Sequence, residues 1–368
     1  MTEKKIKKIL IISVSGMGTT IMFLPLLELI KTKFPKAEIS ILVGSKFIEK
    51  ILSNNKYIDK IFSWDFFDNS RLSTIRYLFS LRSERFDVSI NVYPNLRRSY
   101  NIISFLIGAK TKISHTVKRH SFQRLSFLIN RKVYANFQMH DIENNQNLLK
   151  LLGISRSEWT NPRLYLSDSE LINAQKFFLK NNILETDKKI GVHVGDNPSS
   201  KGRNWPAQKY VNLFNVLIQR KMKIIVFSTM EERPIVNEIK EKTSGEIFIF
   251  ENSDIMKVAG IISQCNCFLT DDSGLMHLAS CVQTPIIALF GPTNKKWTGP
   301  LSDTNKIIET GIECSPCLDR IKTPKGKDKN KFNLIKCHIE DKFACMKYIE
   351  EEEVLAAIDE FVSKKSNF

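Results

Sequence analysis

Short apolar runs alternate with amphipathic stretches of helical period along the chain. ILIISV (9–14) precedes helical periodicity over 19–33, EISILVG (38–44) precedes a helix over 46–53, and IDKIFSW (58–64) precedes a basic helix over 70–83. FDVSINVY (86–93) and a helix over 97–107 end this first series. A second series opens with KKIGVHVG (188–195), a helix over 206–220, KIIVFST (223–229), a helix over 231–242, EIFIFE (246–251) and a helix over 254–263. CFLTDD (267–272), a helix over 273–282 and PIIALFG (285–291) complete it. Unbroken apolar strands alternating with amphipathic helices predict parallel sheets covered on both faces. KKILIISV and KKIGVHVG each open a Rossmann-like half, so the pattern predicts an α/β protein of two Rossmann-like domains facing a central cleft, with ligands in the loops after the strands.

The domain boundaries follow from that restart. Residues 1–165 form an N-terminal domain, 166–187 (a polar amphipathic helix) the connection, and 188–350 the C-terminal domain with a cysteine-containing segment at 311–346. The last stretch, 351–368, contains EEEVLAAIDEFV, an amphipathic helix expected to pack back on the N-terminal domain. The length, 368 residues, suits two domains of ~150 residues each.

The net charge of +16, from 55 Lys and Arg against 39 acids, points to anionic partners. The basic residues are spread along the chain, whereas a nucleic-acid protein concentrates them on one element with interleaved aromatics, so nucleic acid is not expected. Arg71, Arg76, Arg82, Arg85, Lys118, Arg119 and Arg124 make the first half notably basic, which suits an anionic membrane surface. The N-terminal KKIKKILIIS imitates a signal peptide, but the apolar run breaks at Ser13, Ser15, Gly16 and Gly18 with no small-residue cleavage site. No apolar run reaches the ~18 residues of a membrane helix. Seven cysteines without an export signal fit a reducing compartment. The expected location is cytoplasmic, peripheral on the inner face of the membrane.

TDDSGLMHLASCVQTPIIALFGPT (270–293) is the most specific chemical signal. A strand ends at Asp271-Asp272, and Ser273 is suited to be the N-cap of the next helix. The N–H groups of that helix start, with Gly274 permitting close approach, make an anion site. His277 follows one helical turn later, and Gly291-Pro292-Thr293 supplies a second turn beside the same pocket. Taken singly, Ser273 reads as a plain cap and His277 as a buried helical histidine. Cys314-x2-Cys317, with Cys337 and Cys345, provides a donor set for a structural Zn or Fe, with His338 as an alternative ligand; buried or free thiols are the simpler reading. Cys265, Cys267 and Cys281 belong to apolar runs and read as core. Phe62, Trp64, Phe66 and Phe67 read first as core and second as an acceptor- or lipid-facing surface.

The 270–293 string resembles the signature of glycosyltransferase family 9, the heptosyltransferases, in which [ST]-G-x-x-H-x-A is followed by TP and FGPT. VHVGDNPSSKGRNWPAQKY (192–210), RFDVSINV (85–92) with Arg97-Arg98-Ser99, and Cys314-Ser-Pro-Cys317 with Cys345-Met346 resemble further segments of the family in order. The resemblance implies a glycosyltransferase B fold, a metal-independent inverting transferase, and an ADP-sugar donor, with an ADP-heptose expected. The implied acceptor is an acidic glycan or glycolipid such as a lipopolysaccharide inner core. It places Arg203, Glu231, Asp272, Ser273, Gly274, His277, Gly291 and Thr293 at the donor, with Glu232 as the alternative to Glu231. Arg203 is expected to offset the charge of the leaving diphosphate. Gly16, Gly18, Arg97, Arg98 and His140 are implied on the acceptor side, and His193 reads as a positioning residue. In the family the first loop reads G-x-G-D, the Asp being the acceptor base; here Thr19 takes that position, and a hydroxyl is too weak a base at neutral pH. Asp65, Asp68, Asp87 and Asp141 are the alternative acids.

Three other readings remain. One is a catalytically silent nucleotide-sugar-binding relative. Another is a transferase with a protein or small-molecule acceptor. The third is a dinucleotide oxidoreductase, against which the first loop has Ile21 in place of a third glycine and the second strand ends in Val43-Gly44, without a ribose-binding acid.

Overall fold

The computed structural model describes residues 6–94, 96–117, 121–155, 160–195, 202–317, 337 and 339–364. The chain divides into two compact units, Met1–Tyr165 and Leu166–Phe368, each built on one six-stranded parallel sheet. The first contains β1 (Lys8–Ser13), β2 (Glu38–Val43), β3 (Lys60–Ser63), β4 (Val88–Asn91), β5 (Thr111–Thr116) and β6 (Arg131–Tyr134), in the order β3-β2-β1-β4-β5-β6. The second contains β7 (Lys189–His193), β8 (Lys223–Ser228), β9 (Phe248–Glu251), β10 (Cys267–Asp271), β11 (Ile286–Leu289) and β12 (Asn305–Ile308), in the order β12-β11-β10-β7-β8-β9. The strand order reverses between β1 and β4 in one unit and between β7 and β10 in the other. At such a point neighbouring loops diverge and leave a crevice at the carboxyl ends of the strands.

Burial explains which runs became strands. β1, β2 and β8 are buried on both faces after their first residue, as unbroken apolar runs require. The edge strands β3, β6, β9 and β12 are short and at least partly exposed. Three strands have no counterpart in the apolar pattern. β5 (TKISHT) buries Ser114, His115 and Thr116 in a central position, while β6 and β12 are four-residue edges. The helical stretch read over 19–33 is split into Met17–Ile21 and Leu24–Lys33, with Pro25 in the first turn of the second helix, where its missing N–H costs nothing.

In the second unit the helix Asp168–Lys180 packs closely on Ile255–Ser263, where a Cβ on Gly260 would lie 2.7 Å from the Glu170 carbonyl oxygen. The C-terminal helix Glu351–Lys364 places Val354, Ala357, Ile358, Phe361 and Val362 in the second core with Ile190, Tyr210 and Phe214. Of the aromatic group near 62–67, Phe62 and Phe66 pack on the first core and Trp64 stacks on Tyr77 at 4.2 Å, while Phe67 projects almost fully into solvent. Among the described residues no helix is long and apolar enough to cross a membrane.

Candidate active site

The second unit's switch point gathers most of the donor residues read from the sequence. β10 ends at Asp271, Asp272 follows half-buried, and Ser273 is the N-cap of the helix Gly274–Cys281. The cap differs from expectation in one respect. The Ser273 hydroxyl makes no bond to the helix backbone and instead pairs with the Thr270 hydroxyl at 2.9 Å. Among the described residues no side chain caps the helix and no acid occupies its first turn, which leaves the positive end of the helix dipole for an outside anion. Gly274 opens the helix, and His277 is buried one turn further along.

Arg203 comes from the loop after β7, on the other side of the reversal. Its Nη1 donates to the Asp272 carbonyl oxygen at 2.9 Å, which fixes a guanidinium beside the uncapped helix start. Burial pushes the Asp272 carboxyl up to about 6, against the opposing pull of Arg203 and the Thr293 hydroxyl. Thr293 is buried beside Asp272. Gly291 plays a packing role. A Cβ there would lie 2.5 Å from the Met346 sulfur and 2.9 Å from that of Cys345, and the Gly291 carbonyl accepts a hydrogen bond from Ser315. Trp205 is core, with its ring edge-on to Tyr210 and its Nε1 donating to the Ile349 carbonyl.

Beneath this surface lies a charged group that motif reading reached only in part. His193 ends β7, with Nε2 3.3 Å from Glu232 Oε1 and Nδ1 3.7 Å from Asp271 Oδ1; all three side chains are buried. Burial alone would lower the imidazole pKa, but the Asp271 and Glu232 carboxylates overcome it and hold it up at about 9. The imidazolium therefore ties the end of β10 to the turn after β8. Glu232 also accepts from the Thr229 backbone N–H at 2.9 Å, closing that turn. Glu231 is exposed beside it. The spacing Thr229-x-x-Glu232 is a capping-box signature, and it was the available signal for which of the two glutamates turns inward. Gly195 is obligatory here: its φ is +66°, and a Cβ would lie 2.8 Å from the Asp271 carboxylate.

In the first unit the switch point brings together the loop after β1, with Gly16, Gly18 and Thr19, and the loop after β4, with Arg97 and Arg98. Gly16 is the N-cap of Met17–Ile21, Thr19 is half-buried, and Arg97 and Arg98 are exposed at the start of the helix Arg98–Ile107. His140 caps the helix Asp141–Leu149 through Nδ1, and Asn145 of that helix bonds both backbone groups of Tyr93 after β4. Three of the four alternative acids are committed elsewhere, and Asp68 is exposed. Asp87 lies at the amino end of β4, accepting from Lys7, Lys8 and Lys110, and Asp65 caps its own turn through Phe67 and Asp68. Asp141 is fully buried.

The cysteine group is assembled but open. Cys345 is buried and its thiol is pushed up to about 11, by burial first and then by its neighbours Cys317, Cys314 and Cys337. Among the described residues, the groups of three or more potential ligand atoms all within 4.8 Å of one another reduce to Glu350, Glu351 and Glu352. A tetrahedral thiolate site needs sulfurs about 3.8 Å apart, given ~2.3 Å metal–sulfur bonds, so the thiols as placed do not fit a bound metal. His338 and the 323–331 stretch lie outside the described residues, as do 196–201, Lys118 and Arg119.

The model of the family "Glycosyltransferase family 9 (heptosyltransferase)" matches residues 75–327. Lipooligosaccharide heptosyltransferase 2 of Haemophilus influenzae is 26% identical over 318 residues, 82% of this chain and 88% of that protein. Lipopolysaccharide heptosyltransferase 1 of Campylobacter coli is 25% identical over 96% of this chain and 98% of its own length. The fold is that of the E. coli ADP-heptose lps heptosyltransferase II, with a TM-score of 0.72 at 18% identity over 98% of this chain and 99% of that one. That family match spans more than half of the 368 residues, and the chain belongs to glycosyltransferase family 9, the heptosyltransferases.

Proposed function

We propose that the protein transfers a heptose from ADP-heptose to an acidic glycolipid acceptor of the lipopolysaccharide inner core. The observation that carries this reading is the uncapped start of the Gly274–Cys281 helix with Arg203 fixed beside it. The substrate class is supported by the names of the relatives, two of which act on lipooligosaccharide or lipopolysaccharide. In this reading the helix N–H groups and Arg203 hold the donor diphosphate, and Thr293 and Glu231 contact the nucleotide. His277 supports the same helix. As the acceptor hydroxyl attacks the anomeric carbon from the face opposite the nucleotide, its proton passes to a base and the bond to the diphosphate breaks. The electron pair leaves on the phosphate oxygen, where Arg203 and the helix dipole lower the cost of the new charge. Fixed cations provide this charge offset in the proposed reaction.

On the acceptor side, Gly16, Gly18, Arg97, Arg98 and His140 form or support the loops that meet the acidic core. Thr19 orients the acceptor hydroxyl but cannot take its proton. The acceptor is reached from the cytoplasmic surface of an anionic membrane, toward which the net charge of +16 draws the protein. The decisive measurement is ADP release from ADP-heptose with and without a Kdo-lipid acceptor. Acceptor-dependent release is expected; nucleotide binding without transfer to any acceptor would leave a silent relative instead.

A further inference from the structure

The helix Arg71–Ser80 is apolar on the side that faces away from the core. Inward, Leu78 is buried and Tyr77 stacks on Trp64 at 10° between planes, so the helix is held firmly in one rotation. Outward, Leu72, Ile75 and Phe79 are 58%, 43% and 45% exposed. At 100° per residue these three form one stripe, with Arg71 on one flank and Arg76 on the other. A helix that meets only water carries polar residues there. The stripe continues onto the next helix: the Arg82 guanidinium lies 4.5 Å over the Phe79 ring and donates through Nε to the Leu106 carbonyl, beside the exposed Phe105.

Charge identifies what this face meets. Residues 69–140 contain thirteen Lys and Arg against two acids, Glu84 and Asp87. Both acids are already paired, Glu84 with Lys8 and Lys60 and Asp87 with Lys110. From 88 to 140 there is no acid at all. An apolar stripe bordered by arginines, in a stretch where Lys and Arg far outnumber the acids, has the chemistry of a helix lying in a bilayer interface, with apolar side chains among the acyl chains and cations at the phosphates.

We propose that the outer face of Arg71–Ser80, with Phe105, is the surface on which this protein rests on an anionic lipid bilayer. The proposal extends the reading of the acceptor as a glycolipid, because it says how the enzyme comes to lie beside one. The mode is insertion reinforced by charge, so it differs from attraction by net charge alone. A second copy of the chain is the competing occupant of the same face.

The test is co-sedimentation with phosphatidylcholine vesicles, with and without phosphatidylglycerol and without any acceptor, for the wild type and for Leu72→Ser/Ile75→Ser/Phe79→Ser. All three positions are exposed, and circular dichroism checks that the variant keeps the wild-type fold. The wild type is expected to bind anionic vesicles at least about tenfold more tightly than zwitterionic ones. The triple variant is expected to lose about tenfold or more of that binding, yet to turn over a delipidated, water-soluble acceptor at the wild-type rate. Equal vesicle binding by variant and wild type overturns the proposal, as does a wild-type dimer that the triple variant dissolves. Vesicle binding without transfer would instead sink the acceptor reading and leave this surface standing; transfer without vesicle binding would do the reverse.

Discussion

Two residues at the switch points have consequences that can be measured. The folded-state pKa of His193, about 9, lies above the ordinary value of 6.5, so its ion pairs stabilise the fold fully below pH 6.5. That contribution, on the order of 3 kcal/mol, is lost as pH rises through about 9. The expected result is a melting temperature that falls between pH 6.5 and 9.5 in the wild type and is markedly flatter in His193→Gln, followed by thermal denaturation across pH. Thr19 is the other residue. A positioned general base contributes roughly 10²–10⁴-fold to a rate, and a threonine hydroxyl contributes none of it. Thr19→Asp is therefore expected to raise kcat by about tenfold or more with little change in KM. A fall in kcat in the ADP-release assay would mean that the acceptor loop is organised around the threonine. Arg203, Asp272 and Ser273 could be singled out from the sequence because each belongs to a local string. The His193–Glu232–Asp271 group joins three strand ends far apart in the chain, so only Thr229-x-x-Glu232 left a local trace of it.

At the level of elements, apolar runs located the strands that are buried on both faces, β1, β2, β4, β7, β8, β10 and β11. β5 escaped because four of its five buried residues, Thr111, Ser114, His115 and Thr116 beside Ile113, are polar, which hides the strand from a hydrophobic pattern. The edges β6 and β12 escaped because four half-exposed residues give no period to read. The C-terminal helix is an integral part of the second unit's core. Ile358 is fully buried between Tyr210, Phe214 and the sheet, so Ile358→Ala should leave a cavity and cost about 2–5 kcal/mol, read as a lowered midpoint in urea. Glu353→Ala, on the exposed side of the same helix, should move the midpoint by no more than about 0.5 kcal/mol.

For the molecule as a whole, one strand order is used twice, and each unit offers its own crevice. The proposed donor site predicts that ADP binds the second unit alone. Hydrogen exchange should then slow in the loops after β7 and β10 and in the Gly274–Cys281 helix, with the first unit unchanged. The melting temperature should rise with ADP concentration as mass action requires, by the equivalent of about 2.7 kcal/mol at a hundredfold excess over Kd. Protection spread over the first unit would move the nucleotide site.

The Ser273 hydroxyl turned onto Thr270 sets a trap for anyone breeding a hardier catalyst. A proper side-chain cap is worth about 1 kcal/mol to a helix, and the resting protein goes without it. Selection for heat tolerance in the absence of donor would favour variants such as Ser273→Asp, which quiet the open helix end with a carboxylate of their own. Such lineages would survive the oven with their socket already filled. Screens for robustness should therefore be run with nucleotide present, so that sturdiness is gained elsewhere in the chain.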